Sequence, residues 1–148
     1  MILQKLAKAV AFSSIIVSAL TSAQAASTVS IANNSGGMIA LYAMSAANYR
    51  DSGTQVKFTG RCDSACTMFL GLPTNQTCVS SGAYFRFHSP FGVSARQQRI
   101  AQAYLMHTYP NWVRDWISSN NGLTHQLMTM DYSYASKFMR TCDTIASR

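Results

Sequence analysis

The sequence predicts a single-domain α/β fold held together by disulfides, and three observations support this prediction. First, two strand–glycine turn–helix units stand in series, Thr28–Ala32 into Met38–Tyr49 and Thr54–Thr59 into Cys62–Leu72, and such alternation favours α/β folds. Second, no repeat or linker divides residues 26–148, which are enough to bury the core of one domain. Third, this stretch holds four cysteines, an even number.

Turn chemistry assigns the first elements. Thr28–Ala32 is rich in β-prone residues, and the turn residues Asn33–Gly37 follow it. Apolar residues recur with helical spacing over Met38–Tyr49, which predicts a helix. Thr54–Thr59 alternates in polarity and predicts a strand, which we expect Gly60 to end.

Helices dominate the predictions for the remainder of the chain. Cys62–Leu72 is predicted helical, with Asp63 or Ser64 as its cap and Pro73 closing it. Leu127–Met130 is apolar and fits either a strand or a helix. The other predicted elements are β-prone runs at Gln76–Ser80 and Ala83–Phe87, and helices at Ser94–Tyr109, Asn111–Ser119 and Tyr132–Arg140.

Residues 1–25 have the order of a secretory signal peptide. Lys5 and Lys8 precede or border the uncharged apolar run Ala9–Leu20, and Ala23-Gln24-Ala25 is a small-residue cleavage signal. Cleavage would release residues 26–148 as a periplasmic or secreted domain. No later stretch approaches about 18 consecutive apolar residues, so we expect no membrane span after cleavage.

The charge pattern argues against several classes of function. The formal net charge is +7, and the five acidic residues are all Asp. So few carboxylates disfavour a Glu-dependent glycosidase, a calcium-binding loop or a carboxylate-rich metal cluster. The basic residues are scattered and form no stripe or known module, so we expect no nucleic-acid partner.

The cysteines lie at Cys62, Cys66, Cys78 and Cys142. In an exported chain they predict two disulfides, for which three pairings exist. Cys62 and Cys66 would share one face of a helical turn, and we expect each to bond to a more distant partner. A zinc site is the alternative, but the sequence lacks a C-x-x-C pair or a matching His pair, so no metal is expected.

Three local features could carry chemistry. Ser64 begins a small-residue helix after a strand, where free N–H groups and the positive dipole end suit a nucleophile; the commoner use of such a serine is as a plain N-cap. His88 ends a predicted strand and could be a general base or a structural histidine. Gly36-Gly37 permits a tight turn with exposed N–H groups, and one of these with the Ala65 N–H could form an oxyanion hole.

Three motifs occur in order along this region. They are Asn33-Asn34-Ser35-Gly36-Gly37, Gly60-Arg61-Cys62-Asp63-Ser64 and Ala83–Pro90. Their order and near spacing resemble the Asn-Ser-Pro-Gly-Gly, Gly-x-x-x-Ser and Ala-x-x-x-x-His-x-Pro motifs of the Clp protease proteolytic subunit, within the Clp/crotonase-like superfamily. Small exported bacterial proteins of that superfamily also carry Cys-x-Ser-Ala-Cys-Thr, which is similar to Cys62–Thr67 here.

The resemblance implies a compact Clp/crotonase-like β-β-α spiral and an exported serine hydrolase, peptidase-like, acting on a peptide or ester. Ser64 would be the nucleophile and His88 the general base, with the N–H groups of Gly37 and Ala65 as the oxyanion hole. No cofactor is implied, and a homo-oligomer stays open. Export would separate the domain from ATP-driven unfoldases, so none is expected as a partner.

The chain departs from the family pattern at the third member of the triad. The family's aspartate aligns near Gln126, where this chain has no carboxylate; Asp131 is the nearest candidate, and Asp115 and His125 are weaker ones. Without that aspartate, a non-catalytic exported binding or interaction protein is the alternative. A crotonase-like acyl-thioester enzyme, which needs no serine nucleophile, is a third possibility.

Overall fold

The computed structural model describes residues 26–142. The strands are β1 (Thr28–Asn34), β2 (Gln55–Asp63), β3 (Thr77–Val79), β4 (Tyr84–Phe87) and β5 (Met128–Asp131). The helices are α1 (Ile39–Ser52), a 3₁₀ helix (Ser64–Gly71), α2 (Ala95–Thr108), α3 (Asn111–Ser119) and α4 (Tyr132–Ala135). The predicted signal peptide (1–25) and the end of the predicted domain (143–148) lie outside the described residues. Within 26–142, no helix is both long and apolar enough to cross a membrane.

The strands form one mixed five-stranded sheet around β2. Parallel pairing joins β2 to β1 on one side, and on the other to β3 near its start and β4 at its end. β5 closes this side by pairing antiparallel with β4. The predicted α/β class is therefore confirmed, and the apolar segment that fitted either a strand or a helix forms β5.

The core is built from alternate residues of the strands and one face of α3. Val56 and Phe58 on β2 are fully buried, as period-2 alternation requires for one face of a sheet. The Phe58 and Phe85 rings meet edge to face with centroids 5.0 Å apart. Val113 and Ile117, four residues apart on α3, are at most 1% exposed to solvent.

Strand β2 continues through Gly60, so the prediction that this glycine ends the strand is wrong. The β1–β2 register shifts between Ile31 and Asn33, which brings the two backbones together at an irregularity. A Cβ atom at Gly60 would lie only 2.1 Å from the Ala32 carbonyl oxygen. The glycine therefore permits close strand pairing at this point and does not break the strand.

The segment after β2 also differs from its prediction. Cys62 and Asp63 belong to β2, and the helix starts at Ser64 with 3₁₀ geometry. Neither predicted cap operates, because the Asp63 side chain makes no capping hydrogen bond and Ser64 is itself the first helical residue.

Both disulfides predicted by the cysteine count are present, but the prediction that Cys62 and Cys66 each bond to a more distant partner is wrong. Cys62 bonds to Cys66, and Cys78 bonds to Cys142. The prediction assumed that Cys62 and Cys66 share one helical turn. Instead Cys62 lies on a strand and Cys66 on the 3₁₀ helix, and the chain reversal at Ser64 brings their Cα atoms to 5.4 Å from each other. That separation suits a disulfide.

The last helix is shorter than predicted. α4 ends at Ala135, and the N–H groups of Lys137 and Phe138 then bond three residues back, a tightening that ends the helix. The chain next runs beside β3, where the Arg140 carbonyl accepts from the Val79 N–H. The Cys78–Cys142 bond holds this segment against the sheet.

Candidate active site

A cavity of about 620 Å³ opens where the carboxyl ends of β1, β2 and β4 meet the start of α1 and the middle of α2. Ser64 and His88 both line it, together with the turn Ser35–Gly37. The rest of its wall is apolar and comes from Met38, Ile39, Ala40, Pro90, Phe91, Val93, Ala101 and Leu105. The structure therefore brings all three sequence-predicted features, the serine, the histidine and the glycine turn, to one cavity.

Ser64 stands on a strained turn between β2 and the 3₁₀ helix. Its φ of 54° is left-handed, which among the non-glycine residues of 26–142 is shared only by Asn121. Such a conformation costs about 1–3 kcal/mol and persists only where its surroundings enforce it. A strand-to-helix turn of this kind presents a serine hydroxyl at the top of a sheet.

Two braces hold the Ser64 turn. The Cys62–Cys66 disulfide closes over it, and both half-cystines are fully buried. On the other side, the Thr67 hydroxyl donates to the Ser64 carbonyl at 2.6 Å and accepts from the buried Tyr109 hydroxyl at 2.7 Å. Burial raises the pKa of Tyr109 to about 12, against the opposing effect of its hydrogen bond with Thr67.

The sequence suggests the first of these contacts, since a Thr three residues after a helix start commonly bonds back to the chain. It carries no signal for the second, because Tyr109 is 42 residues away from Thr67.

The glycine turn lies directly against Ser64. Gly36 has a left-handed φ of 77°, and a Cβ at this position would lie 2.9 Å from the Ala65 nitrogen. Asn34 fixes the turn: its Oδ1 accepts from the Gly36 N–H at 2.9 Å and from the Tyr42 hydroxyl at 2.5 Å. The Asn-x-Gly pattern is the sequence signal for such an Asx turn.

The two predicted oxyanion donors have free N–H groups. Ala65 is the second residue of the 3₁₀ helix, where backbone N–H groups have no partner within the helix. Gly37 follows Gly36 in the turn, and no hydrogen bond among residues 26–142 takes up its N–H. The Gly36 N–H is not free, because it donates to Asn34 Oδ1. Gly36 has another role: its lack of a side chain lets the turn approach Ser64 closely.

His88 follows β4, and a backbone carbonyl holds its ring. The Nδ1 atom lies 2.7 Å from the Ser89 carbonyl oxygen, and because that oxygen can only accept, Nδ1 is the protonated nitrogen. In the neutral ring, Nε2 is then left as a proton acceptor. Ser89 is itself held, since its N–H donates to the Thr124 carbonyl at 2.6 Å.

Asp131 is not brought to His88. In the β4–β5 ladder Asp131 pairs with Tyr84. Tyr84 precedes His88 by four residues, a distance of about 13 Å along a strand. The Asp131 carboxylate accepts from the Ser133 hydroxyl at 2.8 Å and the Tyr134 N–H at 3.0 Å, as an N-cap of α4. These bonds, the Ser133 hydroxyl first, lower the pKa of Asp131.

The weaker candidates for the third triad member also lie elsewhere. Asp115 is exposed on α3. His125 contacts the residue beyond His88, with its Nδ1 3.4 Å from the Ser89 hydroxyl. The described residues therefore give the His88 ring a neutral carbonyl as its partner in place of a carboxylate.

The carboxylate nearest to Ser64 in sequence has a structural partner. Arg86 forms a two-pronged pair with Asp63, from Nε to Oδ1 at 2.8 Å and from Nη2 to Oδ2 at 2.5 Å. The hydrogen bond with Asp63 raises the pKa of Arg86. Because Asp63 and Arg86 are register partners on β2 and β4, this pair ties together the strands that carry Ser64 and His88.

All four cysteines are in disulfides, which leaves no thiolate for zinc. No protein-family model matches the chain, and no curated protein matches it.

Proposed function

We propose that this protein is an exported serine hydrolase of the Clp/crotonase-like kind that cleaves peptide or ester bonds. One observation carries the proposal: Ser64, on a strained turn, and His88, with Nδ1 already engaged, line the same cavity. Strain at a cavity wall is typical of functional residues. The two disulfides suit a periplasmic or secreted location. The parallel β1–β2–β4 pairing with a helix after β1 suits the β-β-α spiral.

In the proposed reaction, the Ser64 Oγ attacks the carbonyl carbon while His88 Nε2 takes the hydroxyl proton. The carbonyl oxygen gains negative charge and receives the N–H groups of Gly37 and Ala65. His88 then returns the proton to the leaving group as the scissile bond breaks, which leaves an acyl-serine. Water activated by the same Nε2 releases the acid and restores Ser64.

The Ser89 carbonyl would do part of the work of a triad aspartate. It fixes the tautomer and the orientation of the His88 ring, but it carries no full charge to stabilise the imidazolium. Replacing a triad aspartate with a neutral group costs about 10⁴ in turnover where the tautomer is also wrong. With the tautomer correct, we expect slow but measurable acylation.

The test is covalent labelling of the purified, oxidised protein by a fluorophosphonate probe. We expect labelling of the wild type and its loss in Ser64→Ala and His88→Ala. Ser35→Ala is the matched serine control, because Ser35 lines the same cavity without standing on the strained turn. His107→Ala is the matched histidine control, since His107 lies exposed near the end of α2. Both controls should label like the wild type.

The second candidate is a non-catalytic exported binding protein. The observation that favours it is the neutral partner of His88 in a cavity that is mostly apolar. Folded wild-type protein that takes no label would favour this candidate over the hydrolase, and so would labelling that survives in Ser64→Ala.

A further inference from the structure

The mouth of the cavity is apolar and exposed. Met38, Phe91 and Val93 line the cavity, and they are 68%, 69% and 50% exposed to solvent, so they form its rim. We call these three residues the apolar mouth. Phe91 also lies against His88, with ring centroids 5.3 Å apart. Large apolar side chains grouped around a cavity opening are typical of an interaction surface.

Exposed apolar side chains continue along both helices that border the mouth. Leu41 and Met44 follow Met38 at helical spacing on α1, and Ile100 and Tyr104 lie four residues apart on α2. Of the exposed large hydrophobic side chains in residues 26–142, only Leu127 and Phe138 lie outside the apolar mouth and these two helices. The exposed apolar side chains are therefore concentrated on the mouth and on the two helices that border it.

Cationic side chains follow the mouth in the chain, beginning three residues after Val93, and no acidic ones accompany them. The first two turns of α2 carry Arg96 and Arg99, which are both exposed. No Asp or Glu occurs from Ser64 to Arg114, nor from Ala26 to Arg50. The segments that build the mouth thus carry basic side chains and no acidic ones.

This charge pattern distinguishes between the occupants that could cover the mouth. A symmetric second copy would bring two sets of Arg96 and Arg99 to one interface with no carboxylate from these segments to pair with them, which is unfavourable. An anionic lipid surface supplies the opposite charge and accepts protruding apolar side chains without a matching pocket.

We propose that the apolar mouth docks onto an anionic lipid surface, with Phe91 and Val93 among the acyl chains and Arg96 and Arg99 beside the headgroups. Docking in this way turns the opening of the cavity towards the lipid. It depends on the surface alone and not on the chemistry of Ser64, so it stands or falls separately from the proposed hydrolase.

The test is co-sedimentation of the purified protein with vesicles of phosphatidylcholine, with and without phosphatidylglycerol. We expect binding to the mixed vesicles and little to phosphatidylcholine alone. The Phe91→Ser/Val93→Ser variant should lose binding, and Arg96→Gln/Arg99→Gln should weaken it roughly 10–30-fold. Ser64→Ala should bind like the wild type.

Arg50→Gln/Lys137→Gln is the matched charge control. It removes two exposed cations as well, but Arg50 lies at the far end of α1, about 20 Å of helix from the mouth, and Lys137 follows α4. We expect it to weaken binding much less than Arg96→Gln/Arg99→Gln does. Circular dichroism of each variant establishes that it is folded.

Three results would overturn the proposal. The first is folded wild-type protein that does not co-sediment with the mixed vesicles. The second is an equal loss in both arginine variants, which would indicate attraction by net charge alone. The third is a dimer in light scattering that Phe91→Ser/Val93→Ser dissociates without any vesicle binding, which would make the mouth an interface between copies of this chain.

Discussion

A Cβ atom on Gly36 would lie 2.7 Å from the Cβ of Ser64 and 2.5 Å from the Asp63 carbonyl oxygen. Both residues have left-handed backbones, at φ values of 77° and 54°. The glycine turn and the serine turn therefore fit together only because one of them has no side chain. The Gly36 turn is thus packed directly against Asp63, Ser64 and Ala65.

We expect Gly36→Ala to abolish probe labelling of Ser64. The methyl group must displace backbone atoms of Asp63 and Ala65, which would separate the proposed oxyanion donors, the N–H groups of Gly37 and Ala65. Losing one such donor costs about 10²–10³ in rate. Gly122→Ala is the matched control, because Gly122 has a φ of 76° with no atom within 4 Å of the added Cβ. It should cost about 1–2 kcal/mol of stability and keep labelling. Equal labelling in both variants would show that the contact does not position the site.

Removing the Cys78–Cys142 disulfide should lower stability more, whereas removing the Cys62–Cys66 disulfide should lower the labelling rate more. Cys78–Cys142 closes a loop with a sequence separation of 64, and Cys62–Cys66 one of 4. Loop entropy predicts that Cys78→Ser/Cys142→Ser lowers the free energy of unfolding by about 4 kcal/mol, and Cys62→Ser/Cys66→Ser by about 2 kcal/mol. The second variant should nevertheless lower the labelling rate more, roughly 10–100-fold, because that bond braces Ser64.

Chemical denaturation and labelling kinetics of the two double variants measure both quantities. If the labelling rate instead follows stability, so that the Cys78→Ser/Cys142→Ser protein labels more slowly while still folded, the Cys62–Cys66 bond is a staple without a role in positioning Ser64.

Asp131→Asn should retain probe labelling. The Asp131 carboxylate caps α4, and its ladder partner Tyr84 lies about 13 Å along the strand from His88. The substitution therefore removes a charge from the helix cap and not from the candidate active site. Because the pKa of Asp131 is lowered in the fold, its contribution to stability is present at neutral pH and is lost as the pH falls through its titration. The variant should show a weaker acid dependence of thermal unfolding. Loss of labelling in folded Asp131→Asn would contradict this placement.

Local signals in the sequence were sufficient for the fold class and for the turn at Gly36-Gly37, and they named Ser64 and His88, which the structure brings to one cavity. They were insufficient wherever long-range contacts decide the local structure. The strand passes through Gly60 because Ala32 lies against it, and the helix after β2 is tightened by a reversal at Ser64 that also pairs Cys62 with Cys66. The orienting carbonyl of Ser89 is invisible to a search for an acid, because every residue has a carbonyl and only the fold selects one.

Tyr109→Phe should remove the loss of folding stability that the buried phenol causes at alkaline pH. The buried phenol has its pKa raised to about 12, whereas an unfolded tyrosine titrates near its ordinary value of 10.0. The unfolded state therefore loses its proton first, and this residue's contribution to stability is complete below about pH 10 and declines as the pH rises towards 12. The difference amounts to about 2–3 kcal/mol over that range.

Urea unfolding of wild type and Tyr109→Phe at several pH values from neutral to strongly alkaline measures this difference. Near neutral pH we expect Tyr109→Phe to be less stable by about 1 kcal/mol, because Thr67 loses its buried hydroxyl partner. The gap should close and then reverse as the pH passes about 10, since the variant no longer has the buried phenol. Tyr104→Phe is the control, as Tyr104 is exposed on α2 and should follow the wild type. A constant gap across the whole pH range would show that Tyr109 is not held in its neutral form beneath the Ser64 turn.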